Sequence, residues 1–563
     1  MKDCFVLALL ISTFPYEITN SLKTPVVRTP SGPVRGLILR TVWHSIKYSS
    51  FKGIPYAKPP LGDLRFKPPV PIDPWKRVLH AYEEGSVCAQ WDYLSLVYMG
   101  REDCLFLNVF TQEVEFKKGM NLRPVMVWIH GGGYFSGYGN SSLYGPDFFL
   151  EEDVVLVSFN YRLGVLGFLA LKHPNATGNA GLKDQRLVFQ WVQNNIAAFG
   201  GDPNRVTIFG ESAGSTSVGF HILSERSKGL FLRSISMSGT PLCPWAYHSP
   251  EEMIRNAHQL AAVLGYVPKN HDDLVNYLRQ APLMELVSAS TKVEMNLLPF
   301  RPTIEDPDID PSNSSVITEC PITKYHNGDL YRHDVMLGYT HDEVFFFFGP
   351  PIGVANTINW AKKYLQNAAR MSKDIDEEPR QALLARVVND LVKASFKQVK
   401  KIGMDVFFSG PIDLTQRFLA RHNKGHPVYY YQLSYQSKYA MHKFKGNPLN
   451  GTAHFDDVGY IFNSKSIRAP SNPKSSFNRF RKKMVTLWAN FAKYGNPTPK
   501  NFSFDVKWIK SEKEGFQLDI NTISTMHKRL IDKKTEYVEK LLYKLFPLIT
   551  SCVKKPANFT DLF

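Results

Sequence analysis

The stretch Arg205–Val218, RVTIFGESAGSTSV, carries the reading of the fold. Its first part, RVTIFG, has the composition of a strand, and the part after Ser212 suits a helix. Ser212 follows the strand directly, so the chain turns sharply at that residue. A turn this tight forces the serine into a strained backbone conformation and requires small residues two before and two after it. Gly210 and Gly214 meet that need. The turn exposes the Ser212 hydroxyl, and the helix behind it offers free backbone N–H groups and the positive end of its dipole, with the Ala213 N–H aimed at a developing oxyanion. G-x-S-x-G alone is a short pattern that recurs by chance, so its surroundings have to decide.

Upstream, Pro124–Ile129 (PVMVWI) runs into His130–Tyr134 (HGGGY), and Val154–Phe159 (VVLVSF) runs into NYRLG. Unbroken apolar runs of this length suit strands buried on both faces of a parallel sheet. Gly181–Pro203 spaces Leu187, Trp191, Val192 and Ile196 at helical intervals and stops at Gly200-Gly201. AGSTSVGFHIL reads as a helix and SISMSGT, Ser234–Thr240, as a further strand. Strands alternating with helices predict an α/β fold with a large, mostly parallel central sheet flanked by helices, and sites at the carboxyl ends of its strands. Ser212 and Gly131–Gly133 both fall at that edge. The glycines let backbone N–H groups approach a substrate carbonyl, and one such donor contributes about 2.7–4 kcal/mol to the transition state.

A nucleophilic serine needs a base, and the base an orienting acid. On this fold the expected chain order is serine, acid, histidine. His454 in NGTAHFDDVGYIF follows the strand-like PVYYYQLSY, and DVMLGYTHDEVFFFF places Asp342 and Glu343 just after an apolar run. Composition does not choose between those carboxylates, or between His454, His341 and His422.

The chain has 563 residues, 44% hydrophobic and 21% charged, without repeats or low-complexity tracts, which reads as one large globular domain with insertions. A net charge of +16 is spread along the chain; its densest clusters, Lys397/Lys400/Lys401 and Arg479/Arg481/Lys482/Lys483, read as solvated helix faces. No nucleic-acid motif accompanies them, and weak polyanion binding is the extent of what the charge supports. Residues 1–21 have the length of a signal peptide, cleaved near Asn20–Leu22, and no later apolar run is long enough to span a bilayer. Sequons at Asn140, Asn175, Asn313, Asn450, Asn501 and Asn558 agree with a secreted, extracellular protein. With Cys4 removed, Cys88, Cys104, Cys243, Cys320 and Cys552 remain, an odd number that leaves one thiol free or paired with another chain. The expected organisation is residues 1–21 signal, 22–550 a single domain and 551–563 a tail.

FKGIPYAKPPLGDLRFKPP, EDCLFLNVF, WIHGGGYFSG, NYRLGVLGFL, the long stretch Gly178–Val218 and SGTPLCPW occur in this order, and together they make the chain resemble the type-B carboxylesterase/cholinesterase family of α/β-hydrolases, most of all its insect secreted carboxylesterases. The resemblance covers roughly Thr24 to Phe546. It implies Ser212 as nucleophile, Glu343 as acid, His454 as base, the backbone of Gly132, Gly133 and Ala213 as oxyanion donors, Trp245 in the acyl pocket and a Cys88–Cys104 disulfide. It implies no metal and no organic cofactor, and a small-molecule ester as substrate; it leaves the oligomeric state open. Where cholinesterases carry a choline-binding Trp near the closing end of the disulfide loop, this chain has LSLVYMGRED, with Trp91 placed just after Cys88, which argues against acetylcholine. Juvenile-hormone esterases usually have Gln before the nucleophile and this chain has Glu211, although GTAHFDD fits them too. Val344 replaces the Gly that often follows the acid, and Phe345–Phe348 reads first as structural packing and second as a narrowing of the pocket. The rival readings are a non-catalytic adhesion or binding protein, disfavoured by the retained Ser212, Glu343 and His454, and a lipase acting at an interface.

Overall fold

The computed structural model describes residues 22–93, 95–293, 298–310, 312–349, 353–356, 358–359, 396–444 and 446–531. The signal segment 1–21, the tail 551–563, Asn558 and Cys552 lie outside them. The apolar runs become the strands of an 11-stranded sheet. In chain order these are β1 Leu37–Arg40, β2 Lys47–Pro55, β3 Phe106–Thr111, β4 Arg123–Ile129, β5 Val155–Phe159, β6 Gly201–Glu211, β7 Arg233–Met237, β8 Asp334–Thr340, β9 Val428–Leu433, β10 Gln517–Ile520 and β11 Thr525–His527. Across the sheet the order is β11-β10-β9-β8-β7-β6-β4-β5-β3-β2-β1. Every neighbouring pair from β10 to β5 is parallel. The margins are antiparallel.

The parallel strands are buried on both faces, which explains their lack of polar alternation. On β4, Val125, Val127 and Ile129 enter one core, while Met126 and Trp128 enter the other. The first core receives Leu182, Val188 and Val192 from helix α1, Ala180–Asn195, and Val218 from α2, Ala213–Leu223. The second receives Val485, Trp488 and Phe491 from a long helix near the C-terminal end of the described chain. Fully burying each such side chain contributes about 1.5–3 kcal/mol. The predicted stop of α1 is present: a 3-10 turn, Ile196–Phe199, ends at Gly200 with φ 80°.

The remaining helices that bear on the site are α3 Phe396–Met404, α4 Gly410–His422, α5 Met441–Phe444, α6 Asp456–Ile461 and α7 Ser476–Tyr494. A π-helical turn, Asp405–Ser409, joins α3 to α4. In each charged cluster one member departs from the solvated face expected of it, while Lys397, Arg479 and Lys482 are exposed as expected. Arg481 on α7 is buried, its guanidinium lying over the rings of Phe148 and Phe477 and donating to the Gly459 carbonyl at 3.0 and 2.9 Å. A planar guanidinium stacks on aromatic faces and still donates in its plane, which lets it occupy an interior site. Lys400 on α3 is tied to Asp342. No helix among the described residues is long and apolar enough to cross a membrane.

β4 and β6 are neighbours, while β5, the strand between them in sequence, lies on the far side of β4. The winding therefore reverses between β4 and β6. The crevice at their carboxyl ends is the place where such sheets carry their sites.

Candidate active site

β6 ends at Glu211 and α2 begins at Ala213, so Ser212 alone makes the turn. Its backbone sits at φ 57°, ψ −121°, a conformation side chains rarely adopt. Its N–H donates to the carbonyl of Met237 at the end of β7 at 2.9 Å, which locks the strained residue to the sheet. A Cβ on Gly214 would lie 2.0 Å from the Ile129 carbonyl oxygen, so the helix can cross the end of β4 only with glycine there.

Beyond Ile129 the chain forms the glycine loop. Gly132 has φ 106°, and a Cβ on it would lie 2.0 Å from the Ser136 carbonyl oxygen. No described backbone hydrogen bond uses the N–H of Gly132, Gly133 or Ala213. The loop is braced from outside. Cys88 and Cys104 form a disulfide, and the buried Gln90 within the loop they close accepts from the Gly137 N–H at 2.6 Å and donates to the Gly137 carbonyl at 2.8 Å. Ser136 donates to Gln90 at 3.0 Å and accepts from the Tyr93 N–H at 3.0 Å. His130 stacks on Tyr161, and its Nδ1 is 2.8 Å from the Gly131 carbonyl. Burial pushes the His130 ring down to about 4, so it stays neutral and serves structure.

The open choice of acid and base resolves in space. Glu343, fully buried, accepts from the Thr340 N–H at 2.6 Å through Oε1 and from His454 Nδ1 at 2.5 Å through Oε2. The carboxylate assigns the proton to Nδ1 and leaves Nε2 as the basic nitrogen. Asp342 turns away. It accepts from the Thr452 N–H at 3.0 Å and pairs with His341 and Lys400. His341 stands at that outer pair, and His422 packs against Gly328.

Sequence reasoning did not foresee how Glu211 sits. Its side chain is buried, and Oε1 is 3.1 Å from His454 Nε2. Burial first, then the charge of Glu343, pushes its carboxyl well above the usual range. Asp457, also buried, is raised by the same two effects, with Glu211 and Glu343 as the nearby charges.

Ser212, Glu211, His454, Gly132, Gly133 and Trp245 line one cavity of about 1370 Å³, part of it continuous with solvent. Its wall is aromatic. Phe408, Phe347 and Phe346 have ring centroids 5.0, 5.6 and 6.0 Å from that of His454. The Phe345–Phe348 run thus divides: Phe345 packs against Phe348 and Phe396 away from the cavity, while Phe346, Phe347 and Phe348 line it, which corrects the packing role preferred for the whole run. Phe407 and Phe408 come from the π-helical turn, and Trp245 Nε1 donates to the Phe407 carbonyl at 2.8 Å. Trp91 does not line the cavity; it donates to Ser288. Asp92 lines it, with its carboxylate taken up by Ser95 N–H at 2.7 Å and Ser95 Oγ at 2.5 Å.

Elsewhere, Cys320 is disulfide-bonded and Cys243 is a buried free thiol that burial pushes up to about 12, leaving it unreactive. Of the sequons, Asn313, Asn450 and Asn501 are exposed, and Asn140 and Asn175 are half-buried.

Residues 23–538 match the carboxylesterase family. The chain belongs to that family. It is a carboxylic-ester hydrolase with the α/β-hydrolase fold. It is 35% identical over 504 residues to a juvenile hormone esterase of Tribolium castaneum, covering 84% of each chain. It is 34% identical over 526 residues to a carboxylic ester hydrolase of Bombus ignitus, covering 89% of this chain and 90% of that one. Among solved structures it superposes on the juvenile hormone esterase of Manduca sexta with OTFP covalently attached, at a TM-score of 0.81 and 28% identity, covering 93% of this chain and 99% of that one.

Proposed function

We propose that this ester hydrolase works through an acyl-enzyme formed on Ser212, with His454 as general base and Glu343 as the acid that orients it. The observation that carries the reading is the Glu343–His454 hydrogen bond of 2.5 Å at the cavity that Ser212 enters from its strained turn. His454 Nε2 takes the Ser212 proton as Oγ attacks the ester carbonyl, and Glu343 stabilises the imidazolium that results. The N–H groups of Gly132, Gly133 and Ala213 receive the oxyanion. Nε2–H then protonates the departing alcohol, and water attacks the acyl-enzyme through the same base.

An apolar, aromatic wall suits neutral esters with extended hydrocarbon parts, with Trp245 on the acyl side. The narrower reading is a juvenile-hormone-type ester, favoured by the two relatives of that name. Residues 22–550 are read as one domain of a secreted glycoprotein, with 1–21 as signal and the Cys88–Cys104 disulfide in keeping with an oxidising compartment.

The test is a fluorophosphonate probe read by intact mass and peptide mapping on wild type and Ser212→Ala. Stoichiometric labelling at Ser212 that disappears in the variant is expected. A folded, disulfide-intact protein that takes no label would overturn Ser212 as the nucleophile. Comparing kcat/KM for a juvenile hormone with that for short naphthyl esters separates the narrow reading from the broad one.

A further inference from the structure

Near the base stands a second histidine–carboxylate pair that the mechanism does not use. His442 on α5 and Asp456, the first residue of α6, have no exposed side-chain surface. His442 Nδ1 is 2.7 Å from Asp456 Oδ2, and its Nε2 is 3.0 Å from the Leu449 carbonyl oxygen. A carboxylate and a carbonyl only accept, so satisfying both requires a proton on each ring nitrogen, and that ring is the imidazolium. Asp456 is itself placed as an anion. Oδ1 accepts the His442 backbone N–H at 3.0 Å, and Oδ2 also accepts the Ala453 N–H at 2.7 Å. Ala453 is the residue before His454.

We infer that His442 and Asp456 form a positioning pair for His454: a buried cation–anion clamp that holds Leu449 at one end of the segment 449–453 and Ala453 at the other, and so fixes the His454 ring against Glu343. Neither residue lines the cavity, so the pair acts through the backbone of that segment. The inference rests on the reading of His454 as the base.

The clamp is tied to its proton. Burial pushes the His442 ring down, and the hydrogen bond and charge of Asp456, helped by the Leu449 carbonyl, outweigh it, so the net direction is upward. Lys443 on the same helix opposes, with its Nζ drawn 2.8 Å from Asn450 Oδ1. Burial raises the Asp456 carboxyl, and its bonds to His442 and to the Ala453 N–H pull it back down. From α6, Asp457 and Tyr460 are raised in turn by the charge of Asp456, and from α7 Arg481 acts on Tyr460. Loss of the proton on the alkaline side turns one ring nitrogen into an acceptor facing another acceptor. The segment then loses an anchor, and the base loses its alignment.

The experiment combines ring nitrogen NMR of histidine-labelled enzyme with kinetics of wild type, His442→Asn and His442→Phe. At pH 7.5 both His442 nitrogens are expected to be protonated, assigned by their absence in the variants. His442→Phe is expected to lower kcat and the fluorophosphonate labelling rate about 10- to 100-fold, with KM within about twofold because the cavity is untouched. His442→Asn, which keeps a donor toward Asp456 and cannot titrate, should recover part of the loss and flatten the alkaline fall of kcat/KM. A single protonated ring nitrogen in wild type overturns the clamp, and so does a kcat in both variants within about twofold of wild type. Should His442→Phe not fold, the nitrogen spectrum and His442→Asn decide alone. Failure of the wild type to label at Ser212 removes the base reading and the positioning role with it, while the ring spectrum still reports the charge of His442.

Discussion

The floor of the cavity and its wall are held by different physics. Ser212, Gly132 and Ala213 sit where β4 and β6 stop, and their places are set by backbone: a strained φ, an N–H bonded across to β7, and a glycine whose hydrogen faces the Ile129 carbonyl. Phe346 and Phe347 sit on a four-residue helix, Phe345–Phe348, and Phe407 and Phe408 on the π-helical turn; their rings pack on one another, and the Trp245 indole donates to the Phe407 carbonyl. The floor has no room for an added methyl. The wall can change shape while the floor keeps its chemistry. A family built this way can alter the esters it takes without rebuilding the site that cleaves them.

The largest expected effect is on the floor. Ser212→Ala should lower kcat by about 10⁴- to 10⁶-fold, with the thermal midpoint kept; appreciable turnover in a purified variant would mean that the strained turn does not carry the nucleophile. Next, Gly214→Ala should cost about 4 kcal/mol or more in denaturant unfolding, because its Cβ meets backbone. Gly403→Ala on the wall is the paired control. Its Cβ would meet the Val344 side chain at 2.8 Å, which can shift, so a cost of about 1 kcal/mol is expected. Equal costs at the two glycines would break the contrast. Third, Phe408→Ala should move the ratio of kcat/KM for bulky over short acyl esters upward by about tenfold, with labelling of Ser212 retained. The smallest effect concerns His442. Its folded value is raised, so its contribution to stability is complete below about 6.5 and is lost as pH rises through the raised value. The gap in thermal midpoint between wild type and His442→Asn should therefore close on going from pH 6 to pH 9.

The same division decides what could be read from sequence. Floor elements announce themselves locally, since VVLVSF, PVMVWI and RVTIFG need only be buried on both faces, and a strand-to-helix turn at one serine demands small neighbours within a few positions. The strands, α1, α2 and the glycine loop were legible for that reason. The acid and base are not local. Glu343 and His454 meet across 111 residues of chain, and without the family resemblance Asp342 and His341 were equal candidates. Wall residues are less legible still. Which of four consecutive phenylalanines line the cavity depends on how their short helix, Phe345–Phe348, is rotated, and the aim of Phe408 depends on a π-helical turn that leaves no periodic mark. The interior place of Arg481 and the tie of Lys400 to Asp342 are not legible, because each is recognisable only from partners distant in sequence.

The disulfide between Cys88 and Cys104 has a consequence beyond stability. Gln90, inside the loop it closes, holds both polar atoms of the Gly137 peptide, and the glycine loop ends there. The electrical environment offered to a developing negative charge is thus anchored by a bond that exists only where thiols are oxidised. Enzyme produced in a reducing cell interior should fold its sheet, keep its serine exposed and still be a poor catalyst, and a mild oxidant added to the finished protein should switch its turnover on.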